Sequence, residues 1–258
     1  MAKIKNPFRL EEQRTLLAKA NKVKDFKATY TSSLPQINDT NTPEFWDKEN
    51  TVMETMEFGQ NPMAVDRARF VANSLGEKRQ TTLDVGLGSG ISESVYQDIF
   101  PKSKMKIYGI DFSPKSVLRA KKRFKNGEFK RGSILKIPYK DQAFENVICL
   151  EVMEHIVPAK TFQALSELYR VMKRNGKLIL SVPLNEGLEE MVKQKRNPNH
   201  HVRVYSPEMI KVELEIAGFT IVKEKFLYAY GKYYYLKSFL AKYLKKPANN
   251  IVLIARRP

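Results

Sequence analysis

Two carboxylates and one imidazole occur close together in the segment EVMEH at positions 151–155. If a helix begins here, the spacing places Glu151, Glu154 and His155 on one face of it. This set of side chains can bind a divalent cation, or His155 can act as a general base without a metal. The acidic residues can also serve only to stabilise a helix N-terminus. The residues alone leave these three interpretations open.

A second polar cluster lies further along the chain, in the segment NPNHHVRVY at positions 197–205. It contains His200, His201, Arg203 and Tyr205, and the Arg203 guanidinium can hold a carboxylate or a phosphate group. The alternative is a solvated loop that does no more than lead into the next helix. We expect a functional role for His201 and Arg203.

Three glycines at alternate positions follow an apolar run in the segment TTLDVGLGSG at positions 81–90. They would weaken a helix or a strand, and they indicate either a tight turn or a ligand that approaches the backbone closely. Asp111 ends the next apolar run, 21 residues after Gly90, near the spacing at which a carboxylate meets ribose hydroxyls. Ile91 stands where the third glycine of a dinucleotide fingerprint would be. The pattern therefore favours a nucleoside ligand without phosphates.

From residue 81 onward, short apolar runs alternate with amphipathic segments, which is typical of an α/β fold with a doubly wound, mostly parallel sheet. We predict seven strands, at about residues 81–86, 105–110, 128–133, 145–151, 176–182, 220–228 and 250–255. Ligands of such sheets bind beyond the carboxyl ends of the strands. The three glycines follow the first predicted strand and therefore lie at this edge.

Two segments lie outside this alternation. Residues 1–60 are predicted to form a basic, helical extension and a linker, so that the main domain spans residues 61–258. An insertion at about residues 230–247 carries apolar residues at helical spacing, with lysines elsewhere. Its apolar stripe comprises Leu236, Phe239, Leu240, Tyr243 and Leu244. This helix can pack on the core, lie on an anionic membrane surface or contact nucleic acid.

The composition limits which partners and which cellular location are expected for the protein. A formal net charge of +17 favours nucleic acid, an acidic membrane surface or an acidic substrate, although the lysines can also be merely solvated. The single cysteine, Cys149, excludes an intrachain disulfide and lies in an apolar run, where we expect it to be buried. No apolar run reaches the ~20 residues that span a bilayer. We expect a cytoplasmic protein, with peripheral association at a membrane as an alternative.

Four motifs, in their order along the chain, resemble those of the class I S-adenosylmethionine-dependent methyltransferases. They are LDVGLGSG, YGIDFSPKSV, GSILKIPYKDQAFENVICLEVMEH and RVMKRNGKLILSVP, and the resemblance covers roughly residues 60–258. The motifs are similar in particular to the branch that includes ubiquinone- and menaquinone-biosynthesis enzymes. The resemblance implies a Rossmann-like sheet of seven strands with the last strand antiparallel, and S-adenosylmethionine as the cofactor.

The resemblance also implies roles for individual residues at the cofactor. Asp84 would anchor the loop or the methionine amino group, Asp111 would bind the ribose hydroxyls, and Phe112 would pack on the adenine. Ser133 and Ile134 stand where the family contacts the adenine edge, although aspartate is usual at the position of Ser133. The complete implied set is Asp84, Gly86, Gly88, Gly90, Asp111, Phe112, Ser133, Ile134 and Leu150.

Finally, the resemblance implies methyl transfer to a small-molecule or lipid-linked acceptor, and we expect the methylated atom to be oxygen. Glu151, His155 and His201 are the expected catalytic residues, because a hydroxyl acceptor needs a base. The Glu-x-x-Glu-His pattern is associated with a metal in ubiquinone-pathway O-methyltransferases, so Glu151, Glu154 and His155 are the candidate ligands of Mg²⁺. Two other functions stay open: an RNA-modifying methyltransferase that uses the basic surface, and a protein that binds S-adenosylmethionine without catalysis.

Overall fold

The structure, a computed structural model, describes residues 27, 39, 41–55, 61–77, 80–184, 187–195, 197 and 199–258 of the chain. Most of the predicted N-terminal extension therefore lies outside the described residues. Within the described part, strands and helices alternate from residue 81 onward, as predicted.

Seven strands form one sheet in the order β3-β2-β1-β4-β5-β7-β6. Their bounds are β1 Thr81–Val85, β2 Lys106–Asp111, β3 Glu128–Arg131, β4 Phe144–Leu150, β5 Met172–Pro183, β6 Thr220–Leu227 and β7 Asn250–Arg256. Strands β1 to β5 pair in parallel, and β7 runs antiparallel between β5 and β6. This arrangement confirms the doubly wound, mostly parallel α/β sheet with an antiparallel last strand.

Strand β5 begins earlier than the sequence predicted. The segment RNG has the composition of a turn, and it does hold Asn175 at a positive φ of 58°. The chain nevertheless stays in the sheet, because the pairing with β4 shifts register there, from Phe144 opposite Met172 to Asn146 opposite Lys177. The turn signal therefore marks a bulge within β5 and not its beginning.

In the described part of the chain, eight α-helices accompany the sheet. Their bounds are α1 Pro43–Thr55, α2 Pro62–Leu75, α3 Ile91–Ile99, α4 Pro114–Arg123, α5 Thr161–Val171, α6 Leu188–Lys193, α7 Pro207–Ile216 and α8 Tyr234–Tyr243. Helices α2, α4 and α7 begin with proline, and their N-cap side chains, Asn61, Ser113 and Ser206, accept backbone hydrogen bonds. Proline suits this position because it needs no backbone donor at the start of a helix.

Both faces of the sheet are covered, as three successive residues of β4 show. Val147 and Cys149 pack in a core shared with α5 and α7, whereas Ile148 packs in a core shared with α2, α3 and α4. Alternate residues of a strand point to opposite faces, so the two cores lie on opposite sides of the sheet. The full burial of Cys149 confirms its predicted place in the core.

The predicted insertion forms helix α8 between β6 and β7. Tyr234 and Ala241 attach it to the rest of the protein and are buried, but the predicted apolar stripe is exposed. The helix therefore does pack on the core, through Ala241, but its apolar stripe does not face the core. Among the helices of the described residues, none is long and apolar enough to cross a bilayer.

Candidate active site

The glycine loop, residues 86–90, makes the turn from β1 into α3 at the carboxyl edge of the sheet. Gly86, Gly88 and Gly90 have φ values of 89°, 54° and 75°, which glycine adopts without strain. A Cβ atom at Gly86 would lie 2.5 Å from Cγ2 of Val152, the second residue after β4. Glycine is therefore required here by both conformation and space, and the loop packs directly against the segment that follows β4.

Asp111 ends β2 and connects the glycine loop to the start of α4. Its carboxylate accepts backbone hydrogen bonds from Gly88 and from Ser113, both at 2.8 Å. Burial raises the pKa of Asp111 to about 6, although these two hydrogen bonds act in the opposite direction. The side chain is therefore held in one orientation beside the loop.

A pair of buried carboxyl groups lies beneath the glycine loop. Asp84, in β1, faces Glu93, in the first turn of α3, and both are buried. Burial and the neighbouring Glu93 raise the pKa of Asp84 well above its usual range, and burial also raises the pKa of Glu93. Glu93 is absent from the site residues inferred from the sequence. The only sequence signal for it was an acidic residue in the first turn of the helix after the glycines.

The remaining residues assigned to the adenine lie near the ends of β2 and β3. Phe112 is 40% exposed, so one side of its ring is available to a ligand. The Ser133 hydroxyl accepts a hydrogen bond from the backbone of Leu135, and Ile134 is buried. Ser133 therefore keeps its hydroxyl hydrogen as a donor.

Glu151 does not share a helix face with Glu154 and His155, so that prediction is wrong. It follows β4 directly and has a positive φ of 55°, and only a 3₁₀ turn, Met153–His155, comes after it. Its carboxylate accepts hydrogen bonds from the side chains of Ser181 at 2.7 Å and Asn250 at 2.8 Å. The same carboxylate pairs with Arg67 at 3.0 Å. These partners lie on β5, β7 and α2, and they occupy the carboxylate of Glu151. Glu151 is therefore not placed to bind a metal together with Glu154 and His155.

A different set of three side chains comes together instead. Glu154, His155 and His201 each place one potential ligand atom within 4.8 Å of the other two, and we call these residues the histidine cluster. The backbone of Val202 donates to the carbonyl of Glu154 at 2.9 Å and joins the two segments. The side chain of Asn197 bonds both the amide and the carbonyl of His201. Sequence alone marked all three residues but gave no measure of their distances.

The imidazole of His155 has a defined orientation. Its Nδ1 lies 3.4 Å from the carbonyl oxygen of His200, and because a carbonyl only accepts, Nδ1 carries the hydrogen. The lone pair of Nε2 is left on the side of Glu154, whose Oε1 lies 3.9 Å away. Burial lowers the pKa of His155 to about 3, and His201 adds to the effect. His155 is therefore neutral at physiological pH, with Nε2 able to accept a proton or bind a metal.

Arg203 does not reach the site, contrary to the sequence-based expectation. It is buried and forms an ion pair with Glu213 of α7. Its guanidinium also donates to the hydroxyls of Thr161 at 2.6 Å and Tyr205 at 2.8 Å. Since a buried guanidinium needs these acceptors, Arg203 fastens the loop after β5 to α5 and α7.

Helix α1 and the residues before it lie across the same edge of the sheet. The Trp46 ring packs edge-on against His155 with ring centroids 4.6 Å apart, and Phe45 stacks on His200 at 3.6 Å. Asp47 accepts hydrogen bonds from the hydroxyl of Ser113 and the backbone of Lys115, next to Asp111. The sequence placed this segment in a separate extension and gave no sign that it spans both parts of the site.

Comparison with known proteins relates this chain to methyltransferases. A family model described as a methyltransferase domain matches residues 83–180. An uncharacterized protein of Methanocaldococcus jannaschii, MJ0638, is 31% identical over 189 residues, which cover 71% of this chain and 75% of that protein. A demethylmenaquinone methyltransferase of Renibacterium salmoninarum is 29% identical over 114 residues, which cover 44% of this chain and 46% of that enzyme.

Solved structures show the same fold. A geranyl diphosphate methyltransferase in complex with S-adenosylmethionine superposes with a TM-score of 0.57 over 75% of this chain and 85% of that one. The two chains are 13% identical, so this likeness concerns the fold alone. The matched family model ends at residue 180 and therefore includes the glycine loop, Asp111 and His155 but not His201.

Proposed function

Because the chain belongs to the class I S-adenosylmethionine-dependent methyltransferases, we propose that it methylates a hydroxyl group on a small-molecule or lipid-linked acceptor. The observation that carries this proposal is the histidine cluster, which brings two imidazoles and one carboxylate together just after β4. Strands β4 and β1 are neighbours at the topological switch point of the sheet. The histidine cluster and the glycine loop therefore flank the position where ligands of such sheets bind.

In the proposed complex, the cofactor lies along the glycine loop and the end of β2. Asp111, already oriented by two backbone amides, accepts hydrogen bonds from the ribose hydroxyls. Phe112 packs on the adenine, whose edge contacts Ser133 and Ile134. Asp84 and Glu93 would bind the ammonium group of the methionine portion, because a cation placed beside these buried carboxyls favours their ionised form.

Methyl transfer to oxygen also requires a base. The acceptor oxygen attacks the methyl carbon in line with the sulfur, the carbon–sulfur bond breaks, and S-adenosylhomocysteine leaves. The hydroxyl proton passes to Nε2 of His155, and the carboxylate of Glu154 stabilises the imidazolium that forms. With a pKa lowered to about 3, His155 is a weak base. A hydroxyl that is acidic itself, as in a phenol, a catechol or a quinol, would suit such a base best.

With a divalent cation bound at the histidine cluster, the acceptor hydroxyl would not need to be acidic itself. The ligand set predicted for Mg²⁺ does not fit, because Glu151 is bonded to Arg67, Ser181 and Asn250. Two imidazoles and one carboxylate suit Zn²⁺, Fe²⁺ or Mn²⁺ better than Mg²⁺, which prefers oxygen ligands. Held by Glu154, His155 and His201, such an ion would supply Lewis acidity that lowers the pKa of the acceptor hydroxyl.

The test begins with calorimetry of S-adenosylmethionine binding to the wild type and to Asp111→Ala. Binding by the wild type and its loss in the variant are expected, and a wild type that does not bind would contradict the proposed cofactor site. Catechols and quinols are then assayed with and without a chelator. Turnover that the chelator abolishes and Zn²⁺ or Mn²⁺ restores would support the cation, whereas chelator-insensitive turnover leaves His155 as the proposed base.

A second candidate function is methylation of RNA, and the net charge of +17 favours it. Its binding would weaken steeply with salt, because lysines that contact phosphates displace counterions. Affinity for bulk RNA is measured across a salt series, and a negligible slope would remove this candidate. If the protein binds S-adenosylmethionine but methylates neither RNA nor hydroxyl acceptors, the result would favour the third alternative, a cofactor-binding protein without catalysis.

A further inference from the structure

Helix α8 has one face that attaches it to the protein. Tyr234 and Ala241 are buried on this face. The Tyr234 hydroxyl lies 3.1 Å from the carboxylate of Asp66, in α2. Nearby, the Arg69 guanidinium donates to the hydroxyl of Tyr235 at 3.0 Å. The helix is therefore held against α2 in a fixed orientation.

The other face of α8 carries an apolar stripe that points away from the protein. Its members recur at the spacing i, i+3, i+4, i+7 and i+8, and they are between 45% and 77% exposed. They are Leu236, Phe239, Leu240, Tyr243 and Leu244, and we call them the α8 stripe. In a surface helix this spacing normally faces the core, and contiguous exposed apolar residues mark an interaction surface. Among the described residues nothing covers the α8 stripe.

Positive charge surrounds the α8 stripe. Lys237 and Lys242 lie on the helix, and Lys232, Lys245 and Lys246 lie at its two ends, all of them exposed. The sequence contains no aspartate or glutamate after Glu224. Two copies of this surface facing each other would bring like charges together, which disfavours a symmetric dimer. Three of the five residues in the α8 stripe are leucines, which do not stack on bases as aromatic rings do, so single-stranded nucleic acid is a poorer match.

We propose that the outward face of α8 is a docking surface for an anionic lipid bilayer. The α8 stripe would enter the boundary between headgroups and acyl chains, and the lysines around it would contact anionic headgroups. Tyrosine and phenylalanine suit this boundary, since each has an apolar ring and tyrosine adds a polar tip.

The topology places this surface at the edge of the sheet that holds the candidate site. Helix α8 connects the end of β6 to the start of β7, and Asn250, at that start, pairs with Pro183 at the end of the parallel strand β5. Asn250 also donates to Glu151 just after β4. Docking through α8 would therefore bring this edge towards the bilayer, which suits a lipid-linked acceptor. The docking itself does not depend on which atom is methylated.

The experiment measures co-sedimentation of the full chain with phosphatidylcholine vesicles that contain or lack phosphatidylglycerol. We expect binding to the anionic vesicles, weakened by salt, and loss of about tenfold or more in affinity for Leu236→Ser with Phe239→Ser. The matched control is Leu118→Ser with Val222→Ser, which removes two residues of 58% and 51% exposure on other elements. The control should bind vesicles within about twofold of the wild type.

Charge is tested separately with Lys237→Glu and Lys242→Glu against the control Lys102→Glu and Lys104→Glu. The first pair should lose about tenfold or more in affinity for anionic vesicles, and the control should lose much less. A wild type that ignores anionic vesicles, or α8 variants that bind as the wild type does, would overturn the proposal. So would a wild-type dimer, seen by sedimentation, that Leu236→Ser with Phe239→Ser dissociates, because the α8 stripe would then bind a second copy.

The same variants separate docking from folding and from the proposed function. All of them should bind S-adenosylmethionine in calorimetry as the wild type does, because none of the substituted residues belongs to the proposed cofactor site. Loss of vesicle binding with retained cofactor binding supports docking through α8.

Discussion

The glycine loop and the histidine cluster lie at the same edge of the sheet but are assembled from very different lengths of chain. The glycine loop, Asp84 and Glu93 come from ten successive residues, 84–93, and Gly88 of the loop donates to Asp111 at the end of the neighbouring strand β2. The histidine cluster joins Glu154 and His155 to His201, and the two segments are linked by the backbone hydrogen bond from Val202 to Glu154 and by the contact of His155 with the carbonyl of His200. The proposed cofactor side is therefore built on a strand–turn–helix unit and the end of the adjacent strand, whereas the proposed acceptor side depends on the packing of two loops that are distant in sequence.

This difference predicts that the two sides can be damaged independently. Cofactor-side substitutions should change S-adenosylmethionine affinity, and cluster substitutions should change turnover at saturating cofactor.

The largest effect is expected at the histidine cluster. His155→Gln should lower kcat by about 10²–10⁴-fold, since glutamine cannot take up the acceptor proton. Its affinity for S-adenosylmethionine, measured by calorimetry, should stay within about twofold of the wild type. His200→Gln is the matched control, because it removes a neighbouring imidazole but keeps the backbone carbonyl that Nδ1 of His155 contacts. A variant with wild-type kcat would exclude His155 as base and as ligand.

The next effect is expected on the cofactor side. Asp111→Asn should weaken S-adenosylmethionine binding by about tenfold to a hundredfold, because hydrogen bonds to a charged acceptor contribute about 1.5–3 kcal/mol. At saturating cofactor, kcat should change little. The exposed Asp98 of α3 supplies the control Asp98→Asn. Equal affinities for Asp111→Asn and Asp98→Asn would contradict the assigned cofactor site.

Helix α1 contacts both the cofactor side and the acceptor side, so substitutions at two of its neighbouring residues should have different effects. Trp46→Ala, which removes the ring beside His155, should lower kcat/KM for the acceptor by about tenfold without changing cofactor affinity. Asp47→Asn, next to Ser113, should weaken cofactor binding by a few fold without changing acceptor KM. Steady-state kinetics with each substrate varied in turn measures both, and a reversed pattern would show that the two sides are not separable.

The smallest effect concerns the Asp84–Glu93 pair and appears as a pH dependence of stability. A carboxyl whose pKa is raised in the folded protein keeps its proton where the unfolded chain has lost it, so stability falls as pH rises from about 4 through the raised value. Glu93→Gln removes one of the two facing charges. Urea denaturation without cofactor should therefore show a gain in stability over the wild type above neutral pH, shrinking towards pH ~4.

Glu215→Gln, at an exposed position of α7, is the control for this pH dependence. It should track the wild type at every pH. Parallel curves for Glu93→Gln and the wild type would mean that Asp84 and Glu93 do not interact.

The contrast between residues that are close in sequence and contacts between distant segments also explains which features the sequence could predict. The strand–helix alternation, the glycine loop and Asp111 are patterns of neighbouring residues, so their structure followed from spacing. The helix expected at Glu151 failed because this residue adopts a positive φ and binds Ser181, Asn250 and Arg67, which are distant in sequence. The expectation that Arg203 binds a substrate was wrong for a similar reason. The residues around it in the sequence do not indicate that it forms an ion pair with Glu213.

Helix α8 gives the opposite lesson. The spacing of Leu236, Phe239 and Tyr243 was visible in the sequence and left three interpretations open. Only the structure showed that the helix is attached through Tyr234, which bonds Asp66 of α2, and through the buried Ala241, and not through the stripe. Periodicity identifies an apolar face, but which face meets the protein is decided by packing.

The central claim, that the histidine cluster directs the methyl group of S-adenosylmethionine to oxygen, is tested most directly by following that methyl group. The protein is incubated with S-adenosylmethionine labelled with ¹³C in the methyl group and with an extract of small molecules and lipids, and the product is examined by ¹³C NMR. We predict the resonance of a methoxy carbon, present with the wild type and lost with His155→Gln. A methyl carbon on nitrogen or on carbon, or a methoxy signal that His155→Gln leaves unchanged, would contradict the account.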